Sequence, residues 1–139
     1  MEINQITHII IEEAIRIHRD LGPGLLESVY ESVLTKRLEK RGLVVRRQVE
    51  VTVEYDGEQH DVGFRMDMLV EDRVIVELKS VETLPLVAYK VVTTYLRFAD
   101  KEVALLINFG EEMLKDGLHR IVNKYRGPRP GYQTSTEQD

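Results

Sequence analysis

The sequence predicts a mixed α/β or α+β domain in which helices pack on a central sheet. Three observations support this: a helical period at the start, a period-two pattern in the middle and a fully apolar run near the end. The predicted order of elements is ααβββαββ. The 139 residues suit one domain, placed at 1–125, and we expect the polar, Pro- and Gly-containing segment 126–139 to be a flexible tail.

Two helices are predicted before residue 42. The first carries apolar residues at spacings of three and four: Ile3, Ile6, Ile10, Ala14, Ile17 and Leu21. It should end at Gly22-Pro23-Gly24, because glycine permits positive φ and proline does not continue a helix. The second helix is predicted from Leu26 to Arg41, with Gly42 just past its end.

Three antiparallel strands are predicted next. Hydrophobic and polar residues alternate from Val49 to Tyr55, which is typical of a half-buried strand. Asp56-Gly57 is a strong hairpin signal. Strands from about His60 to Val70 and from Val74 to Lys79 should complete a meander.

One helix and two strands complete the predicted domain. Thr83 is a candidate N-cap for a helix that reaches Phe98. The continuous apolar run from Val103 to Ile107 suits a strand covered on both faces. We interpret Leu118 to Val122 as a last strand rather than a short helix.

Charge and composition exclude several classes of protein. Nineteen Lys and Arg against 24 Asp and Glu give a net charge of −5, which argues against a general polyanion binder. The absence of cysteine excludes disulfides, thiol nucleophiles and Cys-based metal sites. No apolar run approaches the ~18 residues of a membrane span, and we see no signal peptide, so we expect a cytoplasmic protein without membrane contact.

A possible metal site is encoded in the second and third predicted strands. Glu77 and Lys79 share a strand face, and the intervening turn would bring Asp67 beside Glu77. Two adjacent carboxylates repel unless a cation lies between them, and Mg²⁺ prefers such oxygen ligands. A nearby lysine would orient a water or balance phosphate charge. A solvated strand face with a cross-strand ion pair explains the same pattern equally well.

The second predicted helix begins with a further pattern, formed by Gly24, Glu27 and Tyr30. In it the sequence resembles the GxxExxY proteins, a branch of the PD-(D/E)XK nuclease superfamily. Four other segments are similar to that family in the same order: Phe64–Asp67, Val76–Glu82, Leu105–Gly110 and Leu114–Gly117. The resemblance implies a restriction-endonuclease-like core, a mixed sheet flanked by helices, with a metal-dependent phosphodiesterase site at one end.

The resemblance also implies roles for individual residues. Asp67 matches the family's aspartate, and Glu77 and Lys79 match the (D/E)-x-Lys pair. Glu27 matches an extra helical carboxylate that joins the metal site in related nucleases. The backbone carbonyl of Leu78 is a further candidate ligand.

Four more residues are candidates for phosphate binding or support of the site: Arg65, Lys90, Tyr30 and Tyr95. An ion pair of Arg65 with Glu50 or Glu54 is an equally good explanation of that arginine. For Tyr30 we favour a core position with a satisfied hydroxyl over a catalytic role.

The sequence therefore predicts a Mg²⁺- or Mn²⁺-dependent nuclease that acts on nucleic acid, with DNA favoured over RNA. A weak or inactive nuclease fold that binds nucleic acid or protein is the alternative, because Ala88 and Val91 replace a histidine and a glutamine of many relatives. A plain structural module is a third possibility. A homodimer through an edge strand at Val49–Tyr55 and a protein partner that supplies specificity stay open.

Overall fold

A computed structural model of the chain describes residues 1–125, so the predicted tail at 126–139 lies outside the described residues. The order of elements is the predicted ααβββαββ. The helices are α1 (Ile3–Leu21), α2 (Glu27–Lys40) and α3 (Leu86–Ala99). The strands are β1 (Val45–Tyr55), β2 (Glu58–Val70), β3 (Val74–Lys79), β4 (Val103–Asn108) and β5 (Leu118–Val122), with a short 3₁₀ helix (Leu114–Gly117) before β5.

The five strands form one sheet in the order β1-β2-β3-β4-β5. All neighbours are antiparallel except β3 and β4, which run parallel with α3 as their crossover. The prediction of a mixed α+β fold is therefore confirmed. Because β3 and β4 run in the same direction, their carboxyl ends meet at one edge, where Lys79 pairs with Asn108.

Helices cover both faces of the sheet. On one face, residues of α1 and α2 such as Ile10 and Leu34 pack on Val76. On the other face, Val92 of α3 packs on Leu106. Every residue of β4 is buried, as predicted for a strand with two covered faces.

Two predicted boundaries are wrong. Helix α3 begins at Leu86 after Pro85, not at a Thr83 cap, because a proline disfavours helical dihedrals in the residue before it. Strand β1 begins at Val45 rather than Val49, since Arg46 and Arg47 pair with β2 although their side chains are polar.

Strands β1 and β2 change faces at one position, beside the candidate site. Val45 contacts the α1/α2 side of the sheet, whereas Val49 contacts the α3 side. Gln48 lies between them with φ +51°, in register with Asp67 of β2. Asp67 therefore lies at an irregular point of the sheet rather than in a regular ladder.

Candidate metal centre

Asp67 and Glu77 lie side by side where β2 and β3 separate. Backbone pairing of these strands extends only to Met68 and Val76. Beyond it, the N–H of Asp67 donates to Glu77 Oε1 at 2.7 Å, and the N–H of Leu78 donates to Asp67 Oδ2 at 2.9 Å. Within residues 1–125, the second oxygen of each carboxylate accepts no hydrogen bond.

Burial makes the charged forms of both acids costly. It raises the pKa of Glu77 to about 8, and the nearby charge of Asp67 adds to this rise. Burial also raises the pKa of Asp67. The charges of Glu31 and Glu27 raise it further, whereas the hydrogen bond from the N–H of Leu78 lowers it. In the described part of the chain, neither acid forms an ion pair with Lys, Arg or His. The charge of Lys79 lowers the pKa of both acids but does not offset their burial, so a bound cation would stabilise the ionised pair further.

Four of the predicted site residues line one cavity of about 220 Å³: Glu27, Glu77, Lys79 and Tyr95. Lys79 shares the strand face of Glu77, and its ammonium forms no hydrogen bond or ion pair with any described residue. Burial raises the pKa of Tyr95, and the charges of Glu77 and Asp67 raise it further. The tyrosine hydroxyl is therefore within the electrostatic reach of both acids.

Glu27 is the first residue of α2 and faces the end of β3. Its Oε2 accepts the N–H of Ser80 at 3.3 Å, and Ser80 Oγ donates to the carbonyl of Leu25 at 2.6 Å. These two contacts attach the α1–α2 loop to the segment that follows Lys79. Glu27 is thus at the cavity but already has a backbone partner.

Tyr30 anchors the α1–α2 loop from the core, as predicted. Its ring is fully buried and stacks on Phe109 with centroids 4.3 Å apart. Its hydroxyl donates to the carbonyl of Gly22 and accepts the N–H of Leu25 at 3.2 Å. Gly24, with φ +108°, supplies the turn that glycine adopts without strain. Tyr30 is not among the residues that line the cavity.

Two other predicted residues lie away from the cavity. Arg65 is exposed and its NH2 donates to Glu50 Oε2 at 2.7 Å, which is the ion pair left open by the sequence. Lys90 is exposed on α3 and does not line the cavity. By contrast, Ala88 and Val91 do line it, so both departures from the family pattern are at the site.

The donor set fits a divalent metal that accepts few protein ligands. Among residues 1–125, no three His, Cys, Asp or Glu side chains are grouped to hold a metal ion. Mg²⁺ commonly uses one or two carboxylates together with waters and phosphate oxygens. Asp67 and Glu77 provide those carboxylates. A residue of an antiparallel strand directs its N–H and its C=O at the same neighbour, so the Leu78 carbonyl faces β2 as well.

The chain was compared with known proteins. A family model described as the PD-(D/E)XK nuclease superfamily matches residues 4–121. The chain belongs to this superfamily. No protein of curated function is significantly similar to this chain in sequence.

Solved structures of similar fold include the crystal structure of SSO0001. The crystal structure of SSO0001 superposes with a TM-score of 0.52 and 17% sequence identity over 88% of this chain. The alignment spans only 63% of that protein, less than two thirds of its length. The shared architecture is consistent with a restriction-endonuclease-like fold. None of the described helices is long and apolar enough to cross a membrane.

Sequence reasoning missed Asn108, which holds the loop beside this nuclease-superfamily site. The side chain is fully buried, and its Oδ1 accepts the N–H groups of Val81 and Gly110, both at 3.0 Å. Its Nδ2 donates to the carbonyl of Val81 at 2.9 Å and to Glu111 Oε2 at 3.2 Å. A polar residue at the end of the otherwise apolar β4 was the available signal.

Glu31 was missed as well. It is buried one helical turn after Glu27, and Arg47 Nε and Gln48 Nε2 each donate to one of its oxygens at 2.9 Å. Its charge still contributes to the raised pKa of Asp67. The spacing of four from Glu27 was the signal, because such residues share a helix face.

Proposed function

We propose that this superfamily member is an active nuclease of the GxxExxY branch that hydrolyses phosphodiester bonds with Mg²⁺ or Mn²⁺. The observation that carries the proposal is the buried pair of Asp67 and Glu77, which form no salt bridge within residues 1–125 and whose charged forms Lys79 stabilises only in part. Three residues support assignment to the branch. Gly24 forms a turn with positive φ, Glu27 lines the cavity, and Tyr30 is buried in the core.

Asp67 and Glu77 are the proposed metal ligands. The carbonyl of Leu78 is a third candidate, and Glu27 a fourth that would exchange its Ser80 N–H for the metal. A divalent cation held there would supply charge stabilisation to the phosphate and polarise an attacking water. This chemistry is available only if both acids are ionised, which the raised pKa values oppose until a cation arrives.

Lys79 is the proposed catalytic cation. Its ammonium is unpaired among the described residues and lines the same cavity as Glu77, so it is available for a phosphate oxygen or a water. A positioned charge acts most strongly where negative charge develops in the transition state. Tyr95 supports the phosphate from the opposite wall, while Arg65 and Lys90 are proposed to contact phosphates away from the cleaved bond.

A second candidate function is a nuclease fold that binds nucleic acid or protein without turnover. The observation that favours it is the apolar cavity wall formed by Ala88 and Val91, which offers no amide or imidazole to the metal site. Loss of such outer partners typically costs 10- to 100-fold in metal affinity or activity, on the order of 1–3 kcal/mol. Pairing of two chains through β1, which lies at the sheet edge, is a compatible proposal.

The deciding experiment is cleavage of labelled DNA and RNA, single- and double-stranded, with Mg²⁺, Mn²⁺ or EDTA. We expect metal-dependent cleavage, faster on DNA, that is lost in Glu77→Ala and retained in Glu102→Ala, which changes an exposed glutamate. Thermal unfolding of both variants controls for folding. Undiminished cleavage by Glu77→Ala would reject the mechanism. Mn²⁺ binding without cleavage of any substrate would favour the second candidate.

A further inference from the structure

The wall of the cavity that faces the acids is apolar. It is formed by both ends of the β3–α3 loop and the first turns of α3, with the residues Val81, Pro85, Val87, Ala88, Val91 and Val92. Val87 is 57% exposed, and the adjacent Leu86 is 80% exposed. Exposed apolar side chains next to a cavity with charged groups indicate a ligand that is itself part apolar and part charged.

The cavity is too small and too weakly basic for a duplex. Its volume of about 220 Å³ is below that of typical pockets for drug-sized ligands, so it has room for one flat group of nucleoside size. Lys79 is the only cationic residue among those lining it. Duplex binding depends mainly on neutralisation of phosphates by Lys and Arg, which this surface and a net charge of −5 do not favour.

The aromatic residue of the cavity is held in place. Tyr95 stacks on Phe64 with ring centroids 4.3 Å apart, and its hydroxyl is within reach of the charges of Glu77 and Asp67. Its ring therefore gives the wall a fixed aromatic surface with a polar edge toward the acids. Proteins that bind unpaired bases stack them on aromatic side chains and contact the backbone with basic groups, and this cavity supplies Tyr95 and Lys79 for the two contacts.

We infer that this cavity receives an unpaired nucleobase next to the scissile phosphate, so that the substrate is single-stranded nucleic acid or an unpaired nucleotide in a duplex. The inference rests on the proposed function, because a phosphate bound at Asp67 and Glu77 would lie at a cavity that Glu77 lines and that α3 walls. In an intact duplex that base is stacked and cannot enter an enclosed cavity. Ala88 and Val91 are then features of a base-binding wall rather than losses.

The test separates binding from cleavage. Fluorescence anisotropy with fluorescein-labelled oligodeoxythymidylate, oligouridylate and a blunt DNA duplex, all in EDTA, measures affinity in the absence of metal. Val91→Ser is the first variant, and Val29→Ser is its control. Both valines lie in helices and are similarly exposed, at 38% for Val91 and 39% for Val29, but only Val91 lines the cavity. Val87→Ser, at a more exposed position, is a second variant should Val91→Ser lower the melting temperature.

We expect Val91→Ser to weaken single-strand binding by about three- to tenfold, the loss expected for one or two buried methyl groups, and Val29→Ser to leave it unchanged. With Mn²⁺, the wild type should cleave a bulged or single-stranded substrate faster than a blunt duplex. The thymidylate and uridylate arms distinguish DNA from RNA.

Three results would overturn the inference. The first is equal affinity and equal cleavage for the blunt duplex and the single strands. The second is single-strand binding that neither cavity variant weakens. The third is self-association in sedimentation that Val91→Ser abolishes, which would assign the apolar wall to a second copy of the chain. Equal cleavage of the duplex would leave the nuclease proposal intact. Conversely, Val91-dependent binding of single strands without any cleavage would support the base pocket while rejecting the nuclease.

Discussion

Asp67 and Glu77 each stabilise the strand that carries the other. The carboxylate of Glu77 accepts a main-chain N–H of β2, and the carboxylate of Asp67 accepts a main-chain N–H of β3. Two side chains thus replace the rungs that a regular antiparallel ladder would have at this point. The acids are fixed in place before any ligand binds, which is the preorganisation that a metal site requires.

Lys79→Met should lower the rate of cleavage and leave metal binding in place. The side chain of Lys79 has no hydrogen bond or ion pair in the described part of the chain, so we expect the melting temperature to change little. Loss of a charge aimed at the transition state typically costs about 10²–10³-fold in rate. Single-turnover cleavage and Mn²⁺ calorimetry measure the two effects. Lys36→Met, at an exposed position of α2, is the matched control, and full activity of Lys79→Met would exclude a catalytic role.

Metal affinity should increase with pH. Because the pKa of Glu77 is raised to about 8, the metal-free protein carries a proton there at neutral pH, and cation binding must release it. The affinity for Mn²⁺ should therefore rise by about tenfold per pH unit below the pKa of Glu77 and level off above it. Calorimetry in buffers of different ionisation enthalpy counts the released proton. A pH-independent affinity in the wild type, or proton release that persists in Glu77→Gln, would contradict this prediction.

Asn108→Ala should release the loop that follows β3. The substitution leaves the part-buried N–H groups of Val81 and Gly110 without their acceptor, which we expect to cost about 2–4 kcal/mol of unfolding free energy. Cleavage should fall at temperatures where the variant is still folded, because Val81 lines the cavity. Urea unfolding and cleavage assays are the measurements, with the exposed Asn4→Ala as control. An active Asn108→Ala of normal stability would show that the loop needs no such support.

The pH dependence of stability should contain a contribution from Glu13 on α1. Burial alone would raise the pKa of this acid, but the hydrogen bonds and charges of Arg37 and Arg41 outweigh it, and the net pKa is lowered from 4.5. The stabilisation is therefore fully present above the unfolded-state pKa and is lost as the pH falls through the lower folded-state pKa. Glu13→Gln should lose less stability than the wild type on acidification.

The measurement for Glu13 is the midpoint of chemical unfolding as a function of pH. Glu39→Gln serves as control, because Glu39 is exposed on α2, the helix that carries Arg37 and is followed directly by Arg41. Parallel pH profiles for the wild type and Glu13→Gln would show that the two arginines do not hold this acid in its charged form.

Elements with strong local patterns were predictable from the sequence. Helix α1 has its predicted bounds, and β4 is buried on both faces, because the apolar period alone determines them. The first residues of β1 were missed, since Arg47 and Gln48 do not look like strand residues until Glu31 of α2 is present as their partner. Tertiary contacts decide such positions.

The candidate site also contains contacts that the sequence predicts and contacts that it does not. Asp67 could be placed beside Glu77 because only ten residues and a turn separate them. The contact of Asn108 with Val81 could not be foreseen, as it spans 27 residues and exists only when β3 and β4 are neighbours. The apolar nature of the cavity wall also depends on where α3 lies on the sheet, which no local pattern determines.

The parallel pairing of β3 with β4 has a consequence for the order in which the molecule assembles. The β2–β3 hairpin is local and can close early, whereas β4 reaches its place only after α3 has crossed the sheet. In a partly folded chain we therefore expect Asp67 and Glu77 to be already adjacent but still hydrated, so that the pKa of each is not raised by burial. The pair would lose its water only once α3 covers the sheet, β4 pairs with β3 and Asn108 binds Val81. On this view, the candidate site forms in the last steps of folding.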